Sequence, residues 1–170
     1  MTKPTTTSTT AWHDVIDGAP EMAKQVQARF EATGLGYLAT LRRDGSPRIS
    51  GIEPWFGEGE LWIGSMWQAL KAKDLLRDPR FSLHAANVDK EVADGDARIS
   101  GTAEAVAEGD ERWGPALAAF AHTSGHEVPP GEMHLFRLVP TEVVLLQPAG
   151  DHLQIRTWTP DRGERQLTRH

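Results

Sequence analysis

Short segments in which apolar residues recur at every second position, separated by turn-forming pairs, constrain this sequence most. The residues from Leu35 to Leu41 alternate in this way and lead to Asp44-Gly45, a pair typical of two-residue hairpin turns. We expect strands at 35–41, 48–55, 61–65, 80–87, 97–108, 133–139, 142–147 and 152–159. Few helices separate them, so the pattern predicts a mainly β fold, an antiparallel barrel of six to seven strands with flanking short helices.

Helical spacing of apolar residues occurs in only three places. It predicts helices over 20–33, 69–77 and 110–122, the first of them with Pro20 in its first turn. The first ten residues include six threonines and almost nothing apolar to bury. We therefore expect a disordered N-terminal tail at 1–12, a single barrel domain at 13–160 and a polar C-terminal tail at 161–170.

Composition excludes several classes of function. The 170 residues include no cysteine, which excludes thiol nucleophiles, disulfides and thiolate metal sites. Eighteen basic residues face 24 acidic ones, for a net charge of −6, so we expect no nucleic-acid partner. The sequence has no apolar run long enough to span a membrane and no signal peptide, and we expect a cytoplasmic protein. Arginine outnumbers lysine 13 to 5, a composition that suggests a bacterial source.

One stretch of eight residues is partly repeated fifty residues later in the sequence. Positions 44–51 and 94–101 both begin with Asp-Gly and both contain Arg-Ile-Ser-Gly, and they match at six of eight positions. Two copies are too few for a repeat architecture. Two hairpins that use the same turn chemistry explain the echo, and a barrel of two related halves is the alternative.

Sequence motifs for nucleotide binding, for a nucleophilic serine and for zinc proteases are absent. The histidines could form a metal site, with His122 and His126 joined by His134, but Ser124-Gly125 interrupts the helical spacing between the first two. Histidines in loops and on the surface explain the pattern better. We expect no metal site.

Basic and hydroxyl side chains converge at one point of the predicted barrel. Arg48 lies on one strand, Ser65 ends another, and Lys71 follows in the first turn of the helix predicted at 69–77. A helix N-terminus, a hydroxyl and two cations can together hold a phosphate. The alternative is that Lys71 and Lys73 are solvated charges on a surface helix.

The order of several motifs resembles one known family. Residues 41–49, 59–63, 71–75 and 77–83 follow one another as they do in the pyridoxamine 5′-phosphate oxidase-like split-barrel flavoproteins. The resemblance covers about 34–106 well and the remainder in outline. It implies a split-barrel homodimer in which a flavin lies at the subunit interface.

The resemblance also implies which residues bind the cofactor. The expected contacts are Arg48, Ile49, Ser50, Gly51, Trp62, Ile63, Gly64, Ser65, Leu70 and Lys71. The phosphate of the cofactor would be held by Arg48, Ser65 and Lys71. The flavin ring would lie along the two strand segments 49–51 and 62–64. Many relatives have a hydroxyl residue and an arginine where this chain has Ala69 and Leu70, so the phosphate site lacks two familiar groups.

The expected function is an oxidoreductase that transfers hydride between a small organic substrate and its cofactor, either FMN or an 8-hydroxy-5-deazaflavin coenzyme. No catalytic side chain can be assigned, since such a cofactor does the chemistry itself. The alternative is a flavin- or haem-binding split-barrel protein without catalysis. A haem protein needs an axial ligand, for which the candidates are His84, His122, His126 and His134. A small barrel without any cofactor is the third reading.

Overall fold

The structure is a computed structural model that describes residues 10–128 and 132–170. Its helices are α1 (Trp12–Gly18), α2 (Pro20–Glu31), α3 (Leu70–Arg77) and α4 (Trp113–Ser124). Its strands are β1 (Gly36–Leu41), β2 (Pro47–Ile52), β3 (Pro54–Gly57), β4 (Glu60–Met66), β5 (Arg80–Ala85), β6 (Asp96–Val106), β7 (Met133–Ala149), β8 (His152–Thr159) and β9 (Gly163–Arg169).

All strand pairs are antiparallel, as the turn signals predict. Seven strands follow the order β2-β1-β5-β6-β7-β4-β3, and β8 and β9 extend the sheet from β7. Only Glu53 separates β2 from β3, so the two ends of this order are neighbours in the chain and the sheet curls into a split barrel. The predicted mainly β barrel with a few flanking helices is confirmed.

The longest strand, β7, replaces two strands expected from the sequence. We expected a break at Pro140-Thr141, but β7 runs from Met133 to Ala149 and pairs with β6 on both sides of that point. The register shifts between Ser100 and Gly101, so that Thr141 is an extra residue in a β-bulge. A bulge accommodates Pro140, which has no N–H to donate to the sheet.

The main core fills the barrel beneath the two N-terminal helices. Pro20 begins α2, which buries Met22, Val26 and Phe30 along one face. They pack with inward-facing strand residues such as Leu38 and each contributes roughly 1.5–3 kcal/mol of burial free energy. A second, smaller cluster forms where α4 packs on the sheet; it comprises Trp55, Trp62, Val106, Ala116 and Leu135.

Both expected tails differ from the structure within the described residues. Trp12 begins a helix and is buried, because α1 packs its apolar side on the barrel core and the Ala11 N–H donates to the Asp14 carboxylate at 2.7 Å. At the other end, Gly163–Arg169 is not a tail but pairs along β8 as β9. Its side chains are mostly exposed, which is why the polar sequence gave no strand signal. Residues 1–9 of the tail expected at 1–12 lie outside the described residues.

The remaining differences are small shifts of boundaries. The expected strand at 48–55 divides into β2 and β3. The helices expected at 20–33, 69–77 and 110–122 are α2, α3 and α4, whose ends differ from the expected ones by at most three residues. In residues 10–128 and 132–170, no helix has both the length and the apolar character needed to cross a membrane.

Candidate functional site

A cavity of about 570 Å³ opens between the β2–β3 corner, β4, α3 and α4. Ligand sites in proteins commonly have volumes of roughly 300–1,000 Å³. Trp55, Phe120 and Met133 supply much of its apolar wall. Trp55 is fixed there by its indole N–H, which donates to the Ala116 carbonyl at 2.9 Å, and by an edge-on contact with Phe120 at 5.0 Å. The cavity therefore has a rigid aromatic side.

Ser65 is the most informative polar residue of this cavity. It lies near the end of β4, is only 6% exposed, and its hydroxyl oxygen has no hydrogen-bond partner among the described protein atoms. An unsatisfied buried hydroxyl costs about 1–3 kcal/mol. A ligand with a polar atom at this point would remove that cost.

Two glycines allow close approach at the cavity. A Cβ atom on Gly64 would lie 2.9 Å from the Met133 methyl group and 3.6 Å from the Trp55 ring, so only glycine lets these two walls meet β4 closely. A Cβ atom on Gly51 would meet nothing within 4 Å and would project into open space. The Gly51 backbone is thus accessible to a ligand.

Lys71 brings a positive charge to the cavity from the first turn of α3. Its ammonium group donates to the Gly51 carbonyl at 2.8 Å, which holds the side chain across the β2 end of the cavity. Partial burial lowers the pKa of Lys71, and the nearby Glu53 carboxylate opposes that effect. A partly desolvated ammonium gains from an additional polar or anionic partner.

Arg48 is held away from this cavity by an ion pair. Its Nε lies 2.6 Å from Oδ2 of Asp74, a buried residue of α3. Thr40 donates to the same carboxylate at 2.9 Å and Arg77 at 3.1 Å. Burial alone would raise the pKa of Asp74, but the hydrogen bonds from Arg48, Thr40 and Arg77 outweigh it and hold the pKa below its ordinary value. Arg48 thus ties β2 to α3.

Four of the ten expected cofactor contacts line the cavity: Gly51, Gly64, Ser65 and Lys71. The other six lie elsewhere. Trp62 and Ile63 are buried in the two apolar clusters, and the Trp62 indole donates to the Gly57 carbonyl at 3.2 Å. Ile49 and Leu70 are exposed, and Ser50 is half-buried.

Sequence reasoning missed the aromatic and acidic members of the wall. Trp55 carried a signal, since it stands opposite Trp62 in a hairpin with a tight Gly-rich turn. Phe120 and Met133 come from segments far along the chain, and no sequence pattern marked them as part of the site. Glu53 and Glu132 also line the cavity, and Lys71 is the one cation among its described lining residues.

The candidate haem and metal ligands do not converge. Within 10–128 and 132–170, no three histidine, aspartate or glutamate side chains come together as metal ligands do. His84 lies 3.1 Å from the Asp96 carboxylate and 2.8 Å from the Ala85 carbonyl. His134 accepts a hydrogen bond from the Gln68 N–H at 3.3 Å.

A split β-barrel with an aromatic-walled cavity beside its α3 helix defines the general class of this protein. The chain belongs to the pyridoxamine 5′-phosphate oxidase family, whose sequence model matches residues 22–147. The resemblance noted from the sequence is thereby confirmed. Members of this family bind flavins of the FMN type, and some bind haem. No curated protein matches the chain significantly in sequence.

Several solved structures share the fold. PhzG from Burkholderia lata, solved with tetrahydrophenazine-1-carboxylic acid, superposes with a TM-score of 0.63 at 17% identity, over 88% of this chain and 90% of that one. A pyridoxamine 5′-phosphate oxidase-related, FMN-binding protein from Nostoc punctiforme superposes with a TM-score of 0.62 at 12% sequence identity, over 89% of this chain and 96% of that one. A haem-binding protein from Mycobacterium smegmatis superposes with a TM-score of 0.57 at 24% sequence identity, over 81% of this chain. The present chain spans 58% of that protein's length.

Proposed function

We propose that this chain binds a flavin-type cofactor, FMN or an 8-hydroxy-5-deazaflavin coenzyme, in the cavity beside α3. With it, the protein transfers hydride to or from a small organic substrate. The observation that carries the proposal is the buried Ser65 hydroxyl, which has no hydrogen-bond partner among the described residues and lies in the wall of an aromatic cavity of about 570 Å³. Such a cofactor supplies the hydride chemistry when bound, and the protein supplies binding, orientation and electrostatics.

The fit is good for a flat ring. Trp55, Phe120 and Met133 offer apolar surface on which a ring would pack and from which it would exclude water. Gly51 leaves space for a ring to approach the β2 backbone. These residues hold and orient a ring, and they do not react with it.

The fit is weaker for a phosphate. We retain Lys71 and Ser65 as the phosphate contacts from this chain and propose that Arg48 acts as a positioning residue, through its ion pair with Asp74 of α3. Glu53 and Glu132 oppose an anion in the cavity. A phosphate therefore has to lie toward Lys71 and away from both carboxylates, where further cations from a second subunit could reach it.

We propose that the protein acts as a homodimer. Large apolar side chains are exposed around the cavity and on the neighbouring outer face of the sheet: Leu35, Tyr37, Ile49, Met66 and Leu70. A contiguous exposed apolar surface commonly marks an interaction site. Two of these residues, Leu35 and Met66, also line the cavity, so a second copy that covered them would also close the site. We place the dimer in the bacterial cytoplasm.

The second candidate function is cofactor binding without catalysis. The likeness to a haem-binding protein of Mycobacterium smegmatis supports it. Of the four candidate axial histidines, His84 and His134 already have partners for a ring nitrogen, so haem bound at either would have to displace those contacts. The other two, His122 and His126, are exposed. The flavin-type proposal requires no such rearrangement, and we prefer it.

The first test is the absorption spectrum of the purified protein, which distinguishes a bound flavin from a haem Soret band. Binding of FMN, of the deazaflavin coenzyme and of haemin to the cofactor-free protein is then measured by calorimetry. Lys71→Ala removes a charge-assisted contact, and we expect about 10- to 100-fold weaker flavin binding. Ser65→Ala is expected to weaken binding about 2- to 10-fold.

The matched control is Lys73→Ala, which removes an exposed lysine from the same helix without touching the cavity. It should bind each cofactor like the parent. If Lys71→Ala and Ser65→Ala bind flavins as the parent does, the cavity is not the cofactor site. If neither flavin binds and haemin does, the second candidate function replaces the first.

A further inference from the structure

A second cavity, of about 640 Å³, lies on the other side of Met133. Its wall is rich in aromatic rings from three separate parts of the chain. Trp67 follows β4, Trp113 begins α4, and His134 and Phe136 lie near the start of β7. The expected cofactor contacts include none of these residues.

The turn after β4 holds Trp67 in place at this cavity. The Trp67 ring stacks on His134 with 4.5 Å between ring centroids and 14° between ring planes. The next residue, Gln68, has a φ of 62°, in the left-handed region that disfavours residues other than glycine. Its backbone N–H donates to Nε2 of His134 at 3.3 Å. Backbone in this region is held only where its surroundings require it, and here it presents a half-exposed tryptophan.

The charge of the second cavity is negative. Glu108 and Glu132 line it, and no lysine or arginine is among its lining residues in the described part of the chain. Indole faces attract cations through their negative π surface, and carboxylates add to that attraction.

We propose that this second cavity binds an organic cation with a flat aromatic body. Trp67 and Trp113 would pack on the body of the ligand, while Glu108 and Glu132 would face its charge. The first cavity differs, since Lys71 is among its lining residues and offsets part of the negative charge there. The two cavities share Val128, Glu132 and Met133, so ligands in both would contact the same three residues. Cation binding in the second cavity does not depend on a cofactor in the first.

The test is calorimetric titration of the purified full chain with three flat probes at mildly alkaline pH. They are 1-methylquinolinium, neutral quinoline and the anion naphthalene-1-sulfonate. We expect the cation to bind about 5- to 30-fold more tightly than quinoline, and the anion to bind more weakly than both. Equal binding of all three probes, or tightest binding of the anion, overturns the proposal.

Variants then locate the binding. Trp67→Leu and Trp113→Leu keep an apolar side chain but remove the ring, and each should weaken binding of the cation about 2- to 30-fold. Glu108→Gln should weaken it about 2- to 5-fold. If Trp67→Leu and Trp113→Leu both bind 1-methylquinolinium like the parent, the cation binds elsewhere and the proposal is wrong.

The controls separate this proposal from the proposed function. Tyr37→Leu removes a half-exposed ring and Glu111→Gln an exposed carboxylate, both outside the cavity, and both should bind the cation like the parent. Lys71→Ala should lose flavin affinity without losing cation affinity. A protein that binds the cation but no flavin would leave this proposal standing and refute only the proposed function.

Discussion

The echoed segments 44–51 and 94–101 have nearly the same sequence and opposite surroundings. Both turn at a glycine with positive φ, 82° at Gly45 and 88° at Gly95, and both continue into a strand. Yet the isoleucine of the first copy, Ile49, is 70% exposed, whereas its counterpart Ile99 is fully buried in the barrel core. The shared motif therefore fixes the turn and the strand, but not the face of the sheet that the strand buries.

The glycines that end the two copies differ as well. Gly51 stands beside the first cavity with open space where a Cβ atom would be. Gly101 stands at the β-bulge, and a Cβ atom there would lie 2.0 Å from the Val139 carbonyl oxygen. One glycine leaves room for a ligand and the other lets two strands approach. The pair shows why a short motif does not by itself identify a binding site.

The arginines complete the comparison. Arg48 pairs with the buried Asp74 of α3, while Arg98 pairs with the exposed Glu142 at 3.1 Å on the outer face of β7. The element that faces the arginine is a helix in the first copy and a strand in the second. It decides whether the arginine forms a buried ion pair or one at the surface.

The largest difference is expected between the two glycines. Gly101→Ala forces a methyl group into the Val139 backbone at the bulge, and we expect a loss of at least about 4 kcal/mol of unfolding free energy, or failure to fold. Gly51→Ala should change it by less than about 1 kcal/mol, because the added methyl group meets no atom. Urea unfolding followed by circular dichroism measures both. Equal stabilities of the two variants would mean that the bulge is absent.

The isoleucines should give the next largest difference. Ile99→Ala opens a cavity in the barrel core and is expected to cost about 2–4 kcal/mol. Ile49→Ala should change the unfolding free energy of the isolated subunit by no more than about 0.5 kcal/mol. Sedimentation of Ile49→Ala is the sharper measurement, since a weakened dimer would support the proposed interface. An undisturbed dimer would place the interface away from β2.

The smallest difference in unfolding free energy is expected between the two arginine variants. Arg48→Ala removes a charge-assisted hydrogen bond from Asp74 and should cost about 1.5–3 kcal/mol, whereas Arg98→Ala should cost less than about 0.5 kcal/mol. The pKa of Asp74 is lower in the folded protein than in the unfolded chain, so its contribution to stability is full at neutral pH and is lost as the pH falls below about 4. In Arg48→Ala, the unfolding free energy should therefore fall less steeply with decreasing pH than in the parent. Unfolding curves at several pH values test this, and a parent and variant with parallel pH profiles would contradict it.

Much of the fold follows from the sequence because its turns and strands are local features. The hairpin signals predict the antiparallel sheet, and the apolar spacing of Met22, Val26 and Phe30 predicts α2. The helix α1 escaped prediction because seven residues contain only two turns, and its stabilising partners lie on the barrel. The strand β9 escaped because its exposed, polar side chains obey no pattern and its order comes from backbone pairing with β8.

The candidate site was harder to predict, since it depends on distant contacts. Ser65 and Lys71 were predicted from a hydroxyl and a charge at a helix N-terminus, and Gly51 and Gly64 from the family resemblance, which orders them along the chain. Arg48 looked equally suitable, and only the position of Asp74 on the facing helix shows that its charge is already paired. Which cation in a sequence is free to bind a ligand is a property of tertiary structure.

The length of β7 has a consequence for the order in which the chain folds. This strand pairs with β6, β4 and β8, and its pairing with β4 ends at Leu138, so the barrel cannot close until residue 138 has been synthesised. Until then β4 lacks its β7 partner, whose paired residues lie about seventy positions later, and such remote pairing forms slowly. Unpaired strand edges invite association with other chains. We expect nascent chains that stop before Met133 to aggregate, and light scattering of a fragment ending at residue 125 would reveal whether they do.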